Sequence, residues 1–107
     1  MRRSGSRLTE TQALGYIWRM PKVFAEQGFE FWVYTNDHPP AHSHVIRGTK
    51  KGRGKKSEVL IYLSDEQARP SLRENRGMRK VDVKRALGIA FRRQGELLEM
   101  WRQIYGN

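Results

Sequence analysis

Between Pro21 and Ser64 apolar and polar residues alternate with the period of two expected of strands, whereas from about Arg79 onward they recur at steps of three and four. The run KVFAE, residues 22–26, is followed by Gln27-Gly28 and then by FEFWVYT, residues 29–35, which reads as a β-hairpin. Phe29, Phe31 and Val33 fall on one face of the second strand and Glu30, Trp32 and Tyr34 on the other. Aromatic residues on both faces predict a central strand or one covered on both sides. The connection NDHPPA follows, because Asn-Asp starts turns and prolines cannot donate to a sheet ladder. HSHVIR, 42–47, and EVLIYLS, 58–64, complete four strands in an antiparallel meander, the last two joined by a Gly-containing loop.

The helical pattern is Val83, Leu87, Ala90, Leu97, Trp101 and Ile104, interrupted in its seam only by Gln94 and widened by Phe91, Leu98 and Tyr105. Gly95 costs on the order of 1 kcal/mol inside a helix, which predicts a kink or break near Arg93–Glu96. Upstream, LTETQALGYIWR places Thr9 as an N-cap with Gln12 at capping-box spacing, predicting a short helix that stops before Pro21. Ser64 and Gln67 have the same spacing, and RPSLRENRG after them reads as an irregular basic segment. The expected fold is therefore α+β: a four-stranded antiparallel meander packed against a long or kinked C-terminal helix, with a short N-terminal helix. A chain of 107 residues supports one core.

Composition narrows the function. A hydrophobic fraction of 37% with 30% charged residues describes a globular chain, not a disordered one. The absence of cysteine excludes disulfides and thiolate metal sites and fits a reducing cytoplasm. No apolar run approaches the roughly 18 residues of a membrane span, so the expectation is a cytoplasmic protein without a membrane partner. The net charge of +10 points to a polyanionic partner, nucleic acid and RNA ahead of DNA. Arg47, Lys50, Lys51, Arg53, Lys55 and Lys56 form an acid-free run that can follow phosphates, or else a solvated hairpin tip or a dock for an acidic protein. A second region, Arg69–Arg93, holds nine basic residues and two acids.

All three histidines fall between positions 38 and 44, beside Asp37. On a strand His42 and His44 share a face about 7 Å apart, close enough to converge on one ion. Asp37 or His38, returned by the proline turn, could complete a divalent-metal site. The same residues, His42 and His44 with His38 beside them, have the chemistry for metal-free RNA cleavage. Imidazoles titrate near neutrality and can serve as general base and acid while arginine and lysine stabilise the phosphorane. A third reading is structural, with Asp37 in an Asx turn, His38 capping it and His42 and His44 half buried.

The run MPKVFAEQGFEFWVYTNDHPPAHSHV resembles the opening of a bacterial family of short proteins called domain of unknown function 4160. There, Met-Pro opens the chain and precedes a Gly-bearing hairpin with an aromatic strand and an acid-His-x-Pro-Pro-His-x-His segment. The resemblance implies that residues 1–19 are an extension, or a misassigned start, ahead of a single domain over residues 20–107. The resemblance extends over roughly residues 20–105, including LLEMW near the end. Ala41 departs from the family's second proline, and the loop 47–56 is longer and more basic than the family pattern. The resemblance implies a toxin-like member of a toxin–antitoxin type pair with a small antitoxin-like protein partner. The expectation is thus a nucleic-acid-directed small protein, RNA-cleaving through His42 and His44. Its alternative is a non-catalytic partner-binding module with a structural histidine cluster.

Overall fold

A computed structural model describes residues 22–48, 56–65 and 67–106. The expected helix over residues 8–19 lies outside them, as do Lys50, Lys51, Arg53 and Lys55. Strands β1 (Lys22–Glu26), β2 (Phe29–Trp32), β3 (His42–Arg47), β4 (Ser57–Tyr62) and β5 (Ser71–Arg76) precede helices α1 (Lys80–Arg92) and α2 (Gln94–Tyr105). The strands form one antiparallel sheet in the order β1-β2-β3-β4-β5. Gln27 and Gly28 turn the first hairpin with φ of 54° and 85°, the doubly positive geometry whose twist matches the flanking strands.

The sheet has five strands, not the four expected, because SLRENR is β5 and not an irregular segment. All six of its residues are exposed, and Leu72 is the only apolar one, so no alternation marked it. As an edge strand β5 needs only its ladder to β4, interrupted by a register shift between Leu60 and Ile61. The Ser64–Gln67 spacing caps no helix. Asp65 Oδ1 instead accepts from the Gln67 N–H at 2.9 Å, a side-chain turn.

Phe29, Phe31, Val45, Val59, Ile61 and Leu63 line one sheet face, and Val83, Ala86, Ile89, Ala90, Leu97 and Leu98 cover it from the helices. The expected break falls at Arg93, between the helices. Gln94, the polar residue in the seam, is buried because its Nε2 gathers the carbonyls of Leu63, Asp65 and Ala68 at 2.5, 2.9 and 2.8 Å. It thereby ties the helix junction to the loop after β4 and satisfies backbone groups with no ladder partner. Phe91, placed in the stripe by its spacing, is half exposed and lies under the Arg69 guanidinium.

Candidate functional site

The register pairs His44 with Trp32 on one side and Leu60 on the other, and His42 with Tyr62. Both histidines therefore point to the sheet face opposite Phe31 and Val45, which the C-terminal end of α2 also reaches, and both are buried, at 1% and 6% exposure. The turn after β2 returns Asp37 over them. Asp37 Oδ2 stands 2.9 Å from His44 Nε2 and 3.3 Å from His42 Nε2. One donor atom from each of the three residues lies within 4.8 Å of the others.

The other ring nitrogens are engaged behind them. His42 Nδ1 is 2.9 Å from the Pro40 carbonyl, which can only accept, so this nitrogen carries the hydrogen. His44 Nδ1 is 2.7 Å from Glu58 Oε2, another obligate acceptor when ionised. In the neutral rings both Nε2 atoms then present lone pairs toward the Asp37 carboxylate. Three electron-pair donors at these distances repel one another unless a metal ion or a hydrogen stands between them, and a metal ion would satisfy all three at once. Second partners on Nδ1, one carbonyl and one carboxylate, are the arrangement that orients histidine ligands in metal sites.

The surrounding residues hold this geometry. The Tyr34 ring stacks on His44 with centroids 4.0 Å apart, and Trp101 of α2 lies 5.5 Å from the His42 ring. The Asp37 N–H donates to the Tyr105 hydroxyl at 2.8 Å, and that hydroxyl donates to the Tyr34 carbonyl. Burial raises the pKa of both tyrosines, so the Tyr105 hydroxyl keeps the proton it donates. Glu58 also reaches Arg76 Nη1 at 3.4 Å, and Arg76 grips Glu74, whose carboxyl that hydrogen bond holds below its usual range. Beside the site Pro39, Trp101, Arg102 and Tyr105 line a cleft of about 440 Å³.

His38 is exposed and is not among the converging side chains. Arg47, expected to hold phosphate beside the histidines, lies on the helix-covered side, its guanidinium 5.0 Å from the Phe29 ring and Nε 3.6 Å from Asp82. Lys56 is exposed at the start of the return to β4. Sequence reasoning missed Glu58 and Tyr105. Glu58 pairs with Ile46 across β3 and β4, so its diagonal reach to His44 follows from a register set by a long connection. Tyr105 comes from a helix whose docking angle no spacing encodes.

Charge separates the two sides. Glu30, Asp37, Glu58 and Glu74 cluster around the histidines, with Lys22 and Arg76 paired to Glu30 and to Glu58 and Glu74. A carboxylate-rich patch in a chain of net charge +10 is a cation-seeking environment.

These features define a small α+β domain with a histidine–carboxylate cluster buried against an antiparallel sheet. A family model described as domain of unknown function DUF4160 matches residues 28–102, and the chain belongs to that family. No curated protein and no solved structure matches the chain.

Proposed function

We propose that Asp37, His42 and His44 hold a divalent transition-metal ion and that the protein is a toxin-like, nucleic-acid-directed hydrolase acting on RNA phosphodiesters. The observation that carries this reading is the convergence of His42 Nε2 and His44 Nε2 on Asp37 Oδ2 at 3.3 and 2.9 Å, with both Nδ1 atoms already committed. Ligands about 2.0–2.1 Å from one ion stand roughly 2.9–3.4 Å apart in octahedral or tetrahedral geometry, a range that both distances from Asp37 Oδ2 to the histidines fall within. Two imidazoles and one carboxylate suit zinc or iron better than magnesium or calcium, which prefer all-oxygen shells. Three protein ligands leave a coordination position for water, whose activation is the chemistry such an ion supplies. The net charge of +10 favours a phosphodiester substrate over neutral ones. The toxin-like role and its small antitoxin-like protein partner come from the family resemblance.

Calorimetric titration of the metal-stripped protein with zinc(II) and manganese(II) tests the site, paired with cleavage of labelled RNA with and without chelator. Asp37→Asn, which keeps shape and removes the charge, should weaken metal binding roughly 100-fold or more, beyond the 10–100-fold set by outer partners. It should also abolish chelator-sensitive cleavage. Cleavage that survives chelator but is lost in His42→Ala would replace the metal with an acid–base pair drawn from His42 and His44. A folded protein that takes up no metal and cleaves no RNA would leave the cluster a structural lock in a partner-binding module.

A further inference from the structure

The charge absent from the histidine face has collected on α1. Its exposed positions carry Lys80, Lys84, Arg85 and Arg92 and no carboxylate, because its one acid, Asp82, points inward at 4% exposure. Arg92 is bonded to Glu26, whereas Lys80, Lys84 and Arg85 have no carboxylate partner among the described residues. Asp82 also gathers further cations, with Arg79 Nε at 3.4 Å and Arg47 Nε at 3.6 Å. The end of β3 is thereby drawn against the start of α1, so that cations from two elements form one surface. Lys80 and Lys84, four positions apart, repel one another by a few tenths of a kcal/mol, which a polyanion laid along the face would relieve.

Gly88 is the second observation. It is exposed in the interior of α1, where glycine costs roughly 1 kcal/mol relative to alanine, and a Cβ built on it would meet nothing within 4 Å. No neighbour among the described residues accounts for it. It leaves bare helix backbone one turn from Lys84 and three residues from Arg85, a place where another backbone can approach closely.

We propose that the exposed face of α1, built on Lys80, Lys84, Arg85 and Gly88 and flanked by Arg79 and Arg47, is a docking surface for the sugar–phosphate backbone of RNA. It lies on the side of the sheet opposite Asp37, His42 and His44. It takes its ligand class from the phosphodiester reading above but needs no metal. The cations supply phosphate contacts and the glycine admits the backbone to the helix surface. A second copy of the chain is disfavoured there by its own positive charge. The surface holds a long RNA by its backbone without reading sequence, leaving the opposite face to meet whatever the strand presents.

Fluorescence anisotropy of a labelled single-stranded RNA of mixed sequence, in chelator, tests this across a salt series. Lys84→Ala with Arg85→Ala should weaken binding roughly 20-fold near 0.1 M salt and flatten the log–log salt slope by about 1.4, the effect of two lost phosphate contacts on a single strand. Lys22→Ala with Arg73→Ala removes the same charge from the other face and should change affinity several-fold less. Gly88→Gln should weaken binding at unchanged net charge while raising the melting temperature. Equal losses in the two double variants, or wild-type affinity in Gly88→Gln, would overturn the surface. Wild-type protein that binds no RNA would overturn it together with the phosphodiester substrate, while metal uptake, measured separately, would stand. Capture of poly-glutamate in place of RNA would assign the face to an acidic protein and overturn it too.

Discussion

The sheet face carrying Phe29, Phe31, Val45, Val59 and Ile61 is dry and closed by two helices, while the face carrying His42, His44 and Glu58 is polar and closed by the Asp37 turn, Tyr34 and the last turns of α2 through Trp101 and Tyr105. Each is built from alternate positions of the same strands: Phe31 and Trp32 are neighbours in sequence and serve opposite faces, as do His44 and Val45. The dry face gains from area removed from water and tolerates hydrophobic exchange. The polar face depends on direction, because every buried nitrogen and oxygen there must meet a partner. Damage to the first should therefore appear as lost stability, and damage to the second as lost binding in a protein that still folds.

The largest effect belongs to the dry face. Phe31 is fully buried, and its ring stacks on Phe24 with centroids 4.6 Å apart. Phe31→Ala should lower the unfolding free energy by about 3–5 kcal/mol, measured by urea denaturation, with much of the protein unfolded at physiological temperature. A loss below about 1 kcal/mol would mean that the aromatic cluster under β1 and β2 is not packed as described.

Glu58→Gln probes the polar face at lower cost to the fold. The amide keeps the shape of the carboxylate and can still accept from His44 Nδ1, but without the charge that raises the basicity of the ring. Metal affinity in calorimetry should fall about 10–100-fold while the melting temperature of the metal-free protein moves little. If affinity stays unchanged while the melting temperature falls, Glu58 serves the sheet and not the ion, and the contrast between the faces weakens.

The dry face was the legible one. A period of two over residues 29–35 grouped Phe29, Phe31 and Val33 on one face, all of them buried here, and steps of three and four gathered Val83, Ala90 and Leu97 into the stripe that covers a sheet face, with a break near Arg93–Glu96 foreseen from Gly95. β5 escaped because an exposed edge strand has no face to bury. Within the site, the pairing of His42 with His44 is local to one strand and could be read from spacing. Asp37 was within reach because the prolines force a return. Glu58 and Tyr105 lie 14 and 61 residues from His44 and enter only through sheet register and helix docking, long-range quantities that no local pattern carries.

The smallest effect separates the faces by pH. Where the dry face meets solvent, Arg92 and Arg93 both bond Glu26, Arg93 also grips Glu96 at 2.6 Å, and its guanidinium lies 3.7 Å from the Phe24 ring. The Arg92 hydrogen bond holds the Glu26 carboxyl below its ordinary 4.5, and the Arg93 hydrogen bond does the same for Glu96. A carboxyl whose pKa is lowered by folding contributes stability in full above the unfolded value and loses it as pH falls through the folded one. Stability from this network should thus be level at neutral pH and decline from about pH 4.5 downward. Exposure to water keeps the decline shallow. Glu26→Gln should remove part of it, so that wild-type and variant melting temperatures converge in acid and differ most near neutrality. A constant offset at every pH would mean that Glu26 stabilises the β1 hairpin by packing alone, with no part played by its charge.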